Sequence, residues 1–366
     1  MVRVLIVEDS RVVREFLMQI LGSDPEIEIV GTAETGQEAL EAVERTRPDI
    51  ITMDVHMPEM NGFDATRRIM ETCPTPIVIV SGSRDVAETA GVFRGIEAGA
   101  LAVLPRPAGI GDPEHQRSAA DFVGTVKLMS EVKVVRRWPH PRRETAPMAS
   151  QSADSSVPTA IERRGARTEI QLIAIGASTG GPPVLRAILS ELPKDLPPIL
   201  IVQHIANGFT QGFVEWLAQS SNLPVQLPVH GQQVVPGGVY VAPDGVHMTV
   251  GIDKRIELNT RAPENGLRPS VSYLFRSVAK AYGQSAIGVL LTGMGKDGAL
   301  ELKLMKDQGA VTIAQAKETS VVHGMPGEAI SLGGATYILP PEKISMTLTS
   351  LVARAYREPV AGITSA

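Results

Sequence analysis

The chain has 366 residues, 43% hydrophobic and 20% charged, with a net charge of −5; this is ordinary for a water-soluble globular protein of two or three domains and gives no case for nucleic acid as the main partner. The single cysteine, Cys73, excludes an intrachain disulfide and fits a reducing cytoplasm. No apolar run approaches the ~18 residues of a membrane helix, and Val2–Asp9 turns acidic too soon for a signal peptide.

From Met1 to about Val135 apolar runs alternate with amphipathic ones. Strands are expected at Val4–Val7, Ile27–Ala33, Ile50–Met53, Pro76–Val80 and Ala102–Leu104. Helices are expected at Arg11–Leu21, Gly36–Arg45 and Gly62–Glu71, with another after Pro113. Aromatics are only 4% of the chain, so the cores should be aliphatic. Continuous apolar strands between helices predict a parallel sheet covered on both faces. Glu8 and Asp9 follow the first strand and Asp54 the third, and the C-terminal strand ends of such a sheet converge on one rim. Three carboxylates that close favour a cation, and their oxygens suit Mg²⁺. Ser81 ends the fourth strand and Arg106 follows the fifth. A cation, a hydroxyl and a guanidinium around one carboxylate make a phosphoryl-binding site.

Val7-Glu8-Asp9-Ser10, Met53-Asp54-Val55-His56-Met57-Pro58-Glu59-Met60-Asn61-Gly62 and Val80-Ser81-Gly82 resemble the two-component receiver domain over roughly residues 1–130. The resemblance implies a doubly wound five-stranded, flavodoxin-like fold. It implies that Asp54 accepts a phosphoryl group from a histidine kinase. Glu8, Asp9, Asp54 and the His56 carbonyl would hold Mg²⁺, and Ser81 would be the switch hydroxyl. Two positions depart from the pattern. Arg106 stands before Pro107 where the family has Lys, and Val103 stands where an aromatic residue is frequent. Arg is planar and bulkier than Lys, so the exchange is not conservative.

Residues 136–168 carry the basic cluster Arg136-Arg137-Trp138-Pro139-His140-Pro141-Arg142-Arg143, followed by Ser, Ala, Pro, Thr and Gln. Little there could build a core, so the stretch reads as a linker. A second α/β pattern runs over 169–357, ahead of a frayed tail at 358–366. Its expected strands are Leu172–Ile175, Ile199–Gln203, Val239–Ala242, Ala286–Leu291 and Val311–Ala314. Its helices are Val184–Glu191, Gln211–Ser220, Val271–Tyr282, Ala299–Gln308 and Lys343–Tyr356. A hairpin is expected at His247–Gly251 and Ile256–Leu258.

The first strand of this half leads into Gly176-Ala177-Ser178-Thr179-Gly180-Gly181. The stretch fits Gly-x-Ser-x-Gly, a strand–turn–helix setting for a nucleophilic serine. Ser178 stands where a Gly-x-Gly-x-x-Gly nucleotide fingerprint needs its second glycine. A serine nucleophile needs a histidine base and an acid to orient it. The candidate bases are His204, His230, His247 and His323, and His204 follows the next strand directly. The candidate acids are Asp195, Asp244, Asp253, Asp297 and Asp307. Asp297 lies in the Gly-rich loop Thr292-Gly293-Met294-Gly295-Lys296-Asp297-Gly298, again after a strand, whereas Asp244 in Pro243-Asp244-Gly245 reads as a turn residue. Ser178–Asp297–His323 would reproduce the chain order of α/β-hydrolases. The strand-end place of His204 favours Ser178–His204–Asp297.

Ile175–Gly181, Gln203-His204, Gly208-Phe209-Thr210, Arg268-Pro269-Ser270-Val271 and Leu291–Ala299 resemble the chemotaxis protein-glutamate methylesterase family across nearly all of 170–350. The receiver–linker–esterase order also matches. The resemblance implies the triad Ser178, His204 and Asp297, with the Met294 amide at the oxyanion and Thr179 lining the site. It implies hydrolysis of glutamate γ-methyl esters on chemoreceptors with release of methanol, deamidation of receptor glutamines, and control by phosphorylation. The esterase site is expected to need no cofactor, and the protein to be a cytoplasmic monomer with no membrane insertion. Two other readings stay open: a serine hydrolase of the same fold acting on a non-chemotaxis protein, and a receiver-controlled binding module.

Overall fold

The structure, a computed structural model, describes residues 1–82, 91–132, 134 and 169–356. The expected linker at 136–168 and tail at 358–366 lie outside the described residues.

Five strands, β1 (Val2–Val7), β2 (Ile27–Ala33), β3 (Ile50–Asp54), β4 (Ile77–Ser81) and β5 (Ala102–Pro105), form a parallel sheet in the order β2-β1-β3-β4-β5. Helices α1 (Arg11–Gly22), α2 (Gly36–Thr46), α3 (Gly62–Thr72), α4 (Arg94–Ala98) and α5 (His115–Ser130) accompany it. Side chains alternate across a strand: Leu5 and Val7 of β1 join one buried cluster, and Val4 and Ile6 join another on the opposite face. A strand buried on both faces must be apolar at every position, which explains its unbroken hydrophobic run.

The second sheet has seven parallel strands in the order β14-β13-β12-β6-β7-β9-β8. These are β6 (Leu172–Ala177), β7 (Ile199–Gln203), β8 (Val225–Gln226), β9 (Val239–Val241), β12 (Ala286–Leu290), β13 (Val311–Gln315) and β14 (Tyr337–Leu339). The expected hairpin is present as β10 (His247–Val250) and β11 (Ile256–Asn259), antiparallel and separate from this sheet. The helices are α6 (Gly181–Glu191), α7 (Thr210–Ser220), α8 (Val271–Tyr282), α9 (Ala299–Asp307), α10 (Met325–Ser331) and α11 (Pro341–Tyr356). Alternation recurs, with Ile173 and Ile175 facing one cluster and Leu172 and Ala174 the other.

Four elements go beyond the sequence expectations: α4, β8, α10 and β14. The strands have two and three residues, too few for a period to show. Helix α10 holds Pro326 and Gly327, which read locally as breakers, yet Pro is tolerated in a first helical turn. Strand β6 runs past Ile175 because Gly176 and Ala177 pair with Val202 and Gln203.

The two sheets share one buried cluster, which holds Val92, Phe93 and Ile96 together with Phe213, Trp216 and Leu217. Phe93 stacks on Trp216 with ring centroids 5.5 Å apart and planes 27° apart, and lies 5.5 Å from Phe213.

Candidate active site

In the first sheet the chain order reverses between β1 and β3, the switch point where doubly wound folds bind ligands. Glu8, Asp9 and Asp54 meet there, with carboxylate oxygens within 4.8 Å of one another. Glu8 and Asp54 are buried and Asp9 is exposed. Burial and the neighbouring Asp54 push Glu8 up to about 7, against the lowering effect of Arg106. Burial likewise raises Asp54. A cluster of hard oxygen donors at such an electrostatic cost fits a divalent cation. The His56 amide donates to Asp54 Oδ2 at 3.2 Å. Ser81 is buried on the neighbouring strand, and its carbonyl accepts the Arg106 amide at 2.9 Å. The Arg106 guanidinium reaches Glu8 Oε2 at 3.3 Å.

The second sheet has its own switch point at β6, with β7 on one side and β12 on the other. Ser178 follows β6, His204 follows β7, and the Asp297 loop follows β12, so three segments distant in sequence share one rim. Two backbone bonds lash the rim together: Ser178 N–H to the Thr292 carbonyl at 3.0 Å, and His204 N–H to the Ala177 carbonyl at 2.9 Å. The approach needs Gly293, since a Cβ there would sit 2.7 Å from Ser178 Cβ. The turn after β6 takes its left-handed residue at Gly180, φ 77°, so the unusual backbone falls on a glycine two residues past the serine and not on Ser178.

His204 Nε2 lies 2.9 Å from Asp297 Oδ2. Asp297 is 2% exposed and accepts three further bonds at the start of α8: from Ser270 Oγ at 2.8 Å, Val271 N–H at 2.6 Å and Ser272 N–H at 3.1 Å. Burial alone would raise its pKa, but the bond and charge of His204, with the bonds at Ser272 and Ser270, outweigh it and hold the carboxyl at about 2. An ionised carboxylate can only accept, so the imidazole hydrogen sits on Nε2 and the lone pair of the neutral ring is on Nδ1. The chymotrypsin template places these two nitrogens the other way round. Among the described residues Ser178 Oγ makes no hydrogen bond; such contacts commonly tighten only around substrate.

Met294 is 60% exposed, and its amide N–H meets no described acceptor, as an oxyanion donor requires. The Thr179 carbonyl accepts from Thr292 Oγ1 at 2.9 Å, holding the serine turn against the Met294 loop. None of the other candidate histidines bonds to Asp297 among the described residues. His323 bonds to Ser320 Oγ at 3.3 Å and not to Asp297, so the Ser178–Asp297–His323 order is not formed. His247 is buried against Tyr273, and His230 bonds to the backbone of Leu258. Asp195, Asp253 and Asp307 lie on the surface.

Three contacts escaped the sequence reading of individual residues. Buried Gln203 donates through Nε2 to both the Ser178 carbonyl at 2.9 Å and the His204 carbonyl at 2.8 Å, tying the two strand ends. Its signal was a polar residue ending an apolar strand. Ser270, quoted only within a motif, holds Asp297. Asp244, read as a turn residue, accepts from Gly208 N–H at 2.8 Å and from Thr210 Oγ1, so it also anchors the segment after His204.

The first half of the chain sits across this rim. Glu97 of α4 accepts Arg186 Nη1 at 2.6 Å from α6 and Trp216 Nε1 at 3.1 Å from α7. A cavity of about 400 Å³, partly open to solvent, lies between the halves and is lined by Ser178, Thr179 and His204 on one side and by Phe93, Leu104 and Phe122 on the other.

A family profile described as CheB methylesterase matches residues 173–348, and one described as response regulator receiver domain matches 4–112. A protein-glutamate methylesterase/protein-glutamine glutaminase of Nitrosospira multiformis is 58% identical over 96% of this chain and 98% of its own. One from Syntrophus aciditrophicus is 58% identical over the same shares. The crystal structure of the Thermotoga maritima CheB methylesterase catalytic domain aligns at 39% identity and TM-score 0.49, covering 50% of this chain and all of that one. No described helix is long and apolar enough to cross a membrane.

Proposed function

Because the chain belongs to the protein-glutamate methylesterase/protein-glutamine glutaminase family, we propose that it hydrolyses glutamate γ-methyl esters on chemoreceptors and deamidates receptor glutamines under control of its own receiver. Residues 1–135 form the receiver, 136–168 the linker and 169–357 the catalytic domain in this reading.

His204 Nδ1 takes the proton of Ser178 Oγ as that oxygen attacks the ester carbonyl. Asp297 holds the Nε2–H and stabilises the imidazolium. The Met294 amide receives the tetrahedral oxyanion, a contribution of roughly 3–4 kcal/mol for one good donor. The C–O bond to the methoxy group breaks, and His204 returns the proton to give methanol. Water then attacks the acyl-serine by the same base, leaving glutamate on the protein and a free Ser178. With glutamine the leaving group is ammonia. The steps as written use only these protein groups and water.

The receiver accepts a phosphoryl group on Asp54 from a histidine kinase. Glu8, Asp9, Asp54 and the His56 carbonyl would hold Mg²⁺, which supplies charge neutralisation for the transferring group. Ser81 and Arg106 would bind the phosphoryl oxygens, shift the face that carries α4, and favour an open arrangement of the two domains.

The observation that carries the reading is the His204–Asp297 bond at the β6 switch point, with Ser178 on the adjoining strand end. The decisive assay is methanol release from methyl-labelled receptor membranes, which should be abolished by Ser178→Ala. Retained release from that variant overturns it.

A further inference from the structure

The closed arrangement leaves the catalytic groups assembled. Asp297 holds His204 and is itself held by Ser270, Val271 and Ser272, and none of these bonds involves the receiver half. Receiver residues meet the rim at Arg186 and Trp216, and the receiver's apolar cluster also packs on Val321 and Val322. What they leave above Ser178 and His204 is a cavity of about 400 Å³. That lies within the roughly 300–1,000 Å³ typical of small-ligand sites. An α-helix with its side chains is about 10–12 Å across, and a receptor bundle of several helices is far wider. Such a substrate needs the receiver wall of Phe93, Leu104 and Phe122 to move away, whereas a single esterified side chain does not.

We infer that the receiver gates this enzyme by substrate size, so that the unphosphorylated closed form hydrolyses small, freely diffusing carboxylic methyl esters at the same Ser178. The inference rests on the reading of Ser178 as nucleophile. The chemistry balances as it does on the receptor: the acyl–Oγ bond forms, the C–OCH₃ bond breaks, methanol leaves with the Ser178 proton relayed by His204, and water releases the free acid. The cavity wall is largely aliphatic and aromatic, with the carboxylate of Asp121 at its edge, so the favoured substrates carry no negative charge.

The test uses the full chain and N-acetyl-glutamate γ-methyl ester α-methylamide, an uncharged single-residue probe, alongside methyl-labelled receptor membranes. Each is assayed for methanol release with and without acetyl phosphate and Mg²⁺. Phosphorylation should change the rate on the probe by less than about threefold while raising that on receptor membranes by more than about tenfold, as expected when one state binds both substrates but the other only the small one. Ser178→Ala should abolish both reactions. The inference is overturned if the probe rate rises in step with the receptor rate, because the gate then acts on the catalytic groups. It is equally overturned if receptor esters are cleaved but the probe shows no Ser178-dependent turnover. Retained receptor activity in Ser178→Ala would instead strike the assignment of the nucleophile.

Discussion

Asp297 Oδ2 accepts the Nε2–H of His204 at 2.9 Å, so in the proposed mechanism the nitrogen left to deprotonate Ser178 is Nδ1. Asp297→Asn offers an amide that can donate to Nε2 and stabilise the wrong tautomer. Its kcat should fall by roughly 10³- to 10⁴-fold with little change in KM. Nitrogen NMR of labelled wild-type protein should show the neutral His204 ring protonated at Nε2. A ring protonated at Nδ1 would reverse the assignment.

Ser270 Oγ donates directly to Asp297 Oδ1 at 2.8 Å. A hydrogen bond to a charged group contributes about 1.5–3 kcal/mol, so Ser270→Ala should lower both stability and kcat, the latter by roughly tenfold. Ser270→Thr, which keeps the hydroxyl, should recover most of the rate. Equal loss in both variants would show a packing role instead.

Acid should weaken the catalytic domain through Asp297. Its folded pKa of about 2 lies below the ordinary value of 3.8, so the stabilisation is fully present above pH ~4 and is lost as the pH falls toward 2, on the order of 2 kcal/mol in all. Urea unfolding of wild type and Asp297→Asn between pH 2 and 6 should converge at the acid end. A constant difference between them across that range would contradict the linkage.

Glu97 joins the two halves through Arg186 and Trp216. The Arg186 pair is about two-fifths exposed on both sides, so it counts for less than about 1 kcal/mol, and the indole bond for about as much. Glu97→Ala should therefore raise unphosphorylated receptor methylesterase activity by roughly three- to twentyfold and leave the phosphorylated rate nearly unchanged. No rise would separate this contact from the gate.

Labelling by acetyl phosphate with Mg²⁺ should vanish in Asp54→Asn. Arg106 spends its guanidinium on Glu8, and a Lys there offers a compact ammonium with a shorter reach. Arg106→Lys should keep the label on Asp54 and alter its lifetime. Label retained in Asp54→Asn would move the acceptor elsewhere.

The strands, most helices and the convergence of Ser178, His204 and Asp297 were legible in the sequence because each of the three follows an apolar run, and parallel strands deliver their ends to one rim. The backbone lashings were not, since Ser178 N–H to the Thr292 carbonyl joins residues over a hundred positions apart. Gln203 showed only as a polar residue ending an apolar strand and Ser270 only as part of a motif; their three-dimensional partners reveal what they hold. Helix α4 and its Glu97 escaped for another reason, because a five-residue helix shows no period and its purpose lies in the neighbouring domain.

Trp216 is one of two tryptophans in the chain, and it stands with its ring on Phe93 and its N–H on Glu97, at the seam between the domains. Separation would hand that indole to water, and its emission would redden. With Trp138→Phe removing the second indole, the protein carries its own optical gauge of the gate, readable in real time as phosphodonor is added and with no label attached.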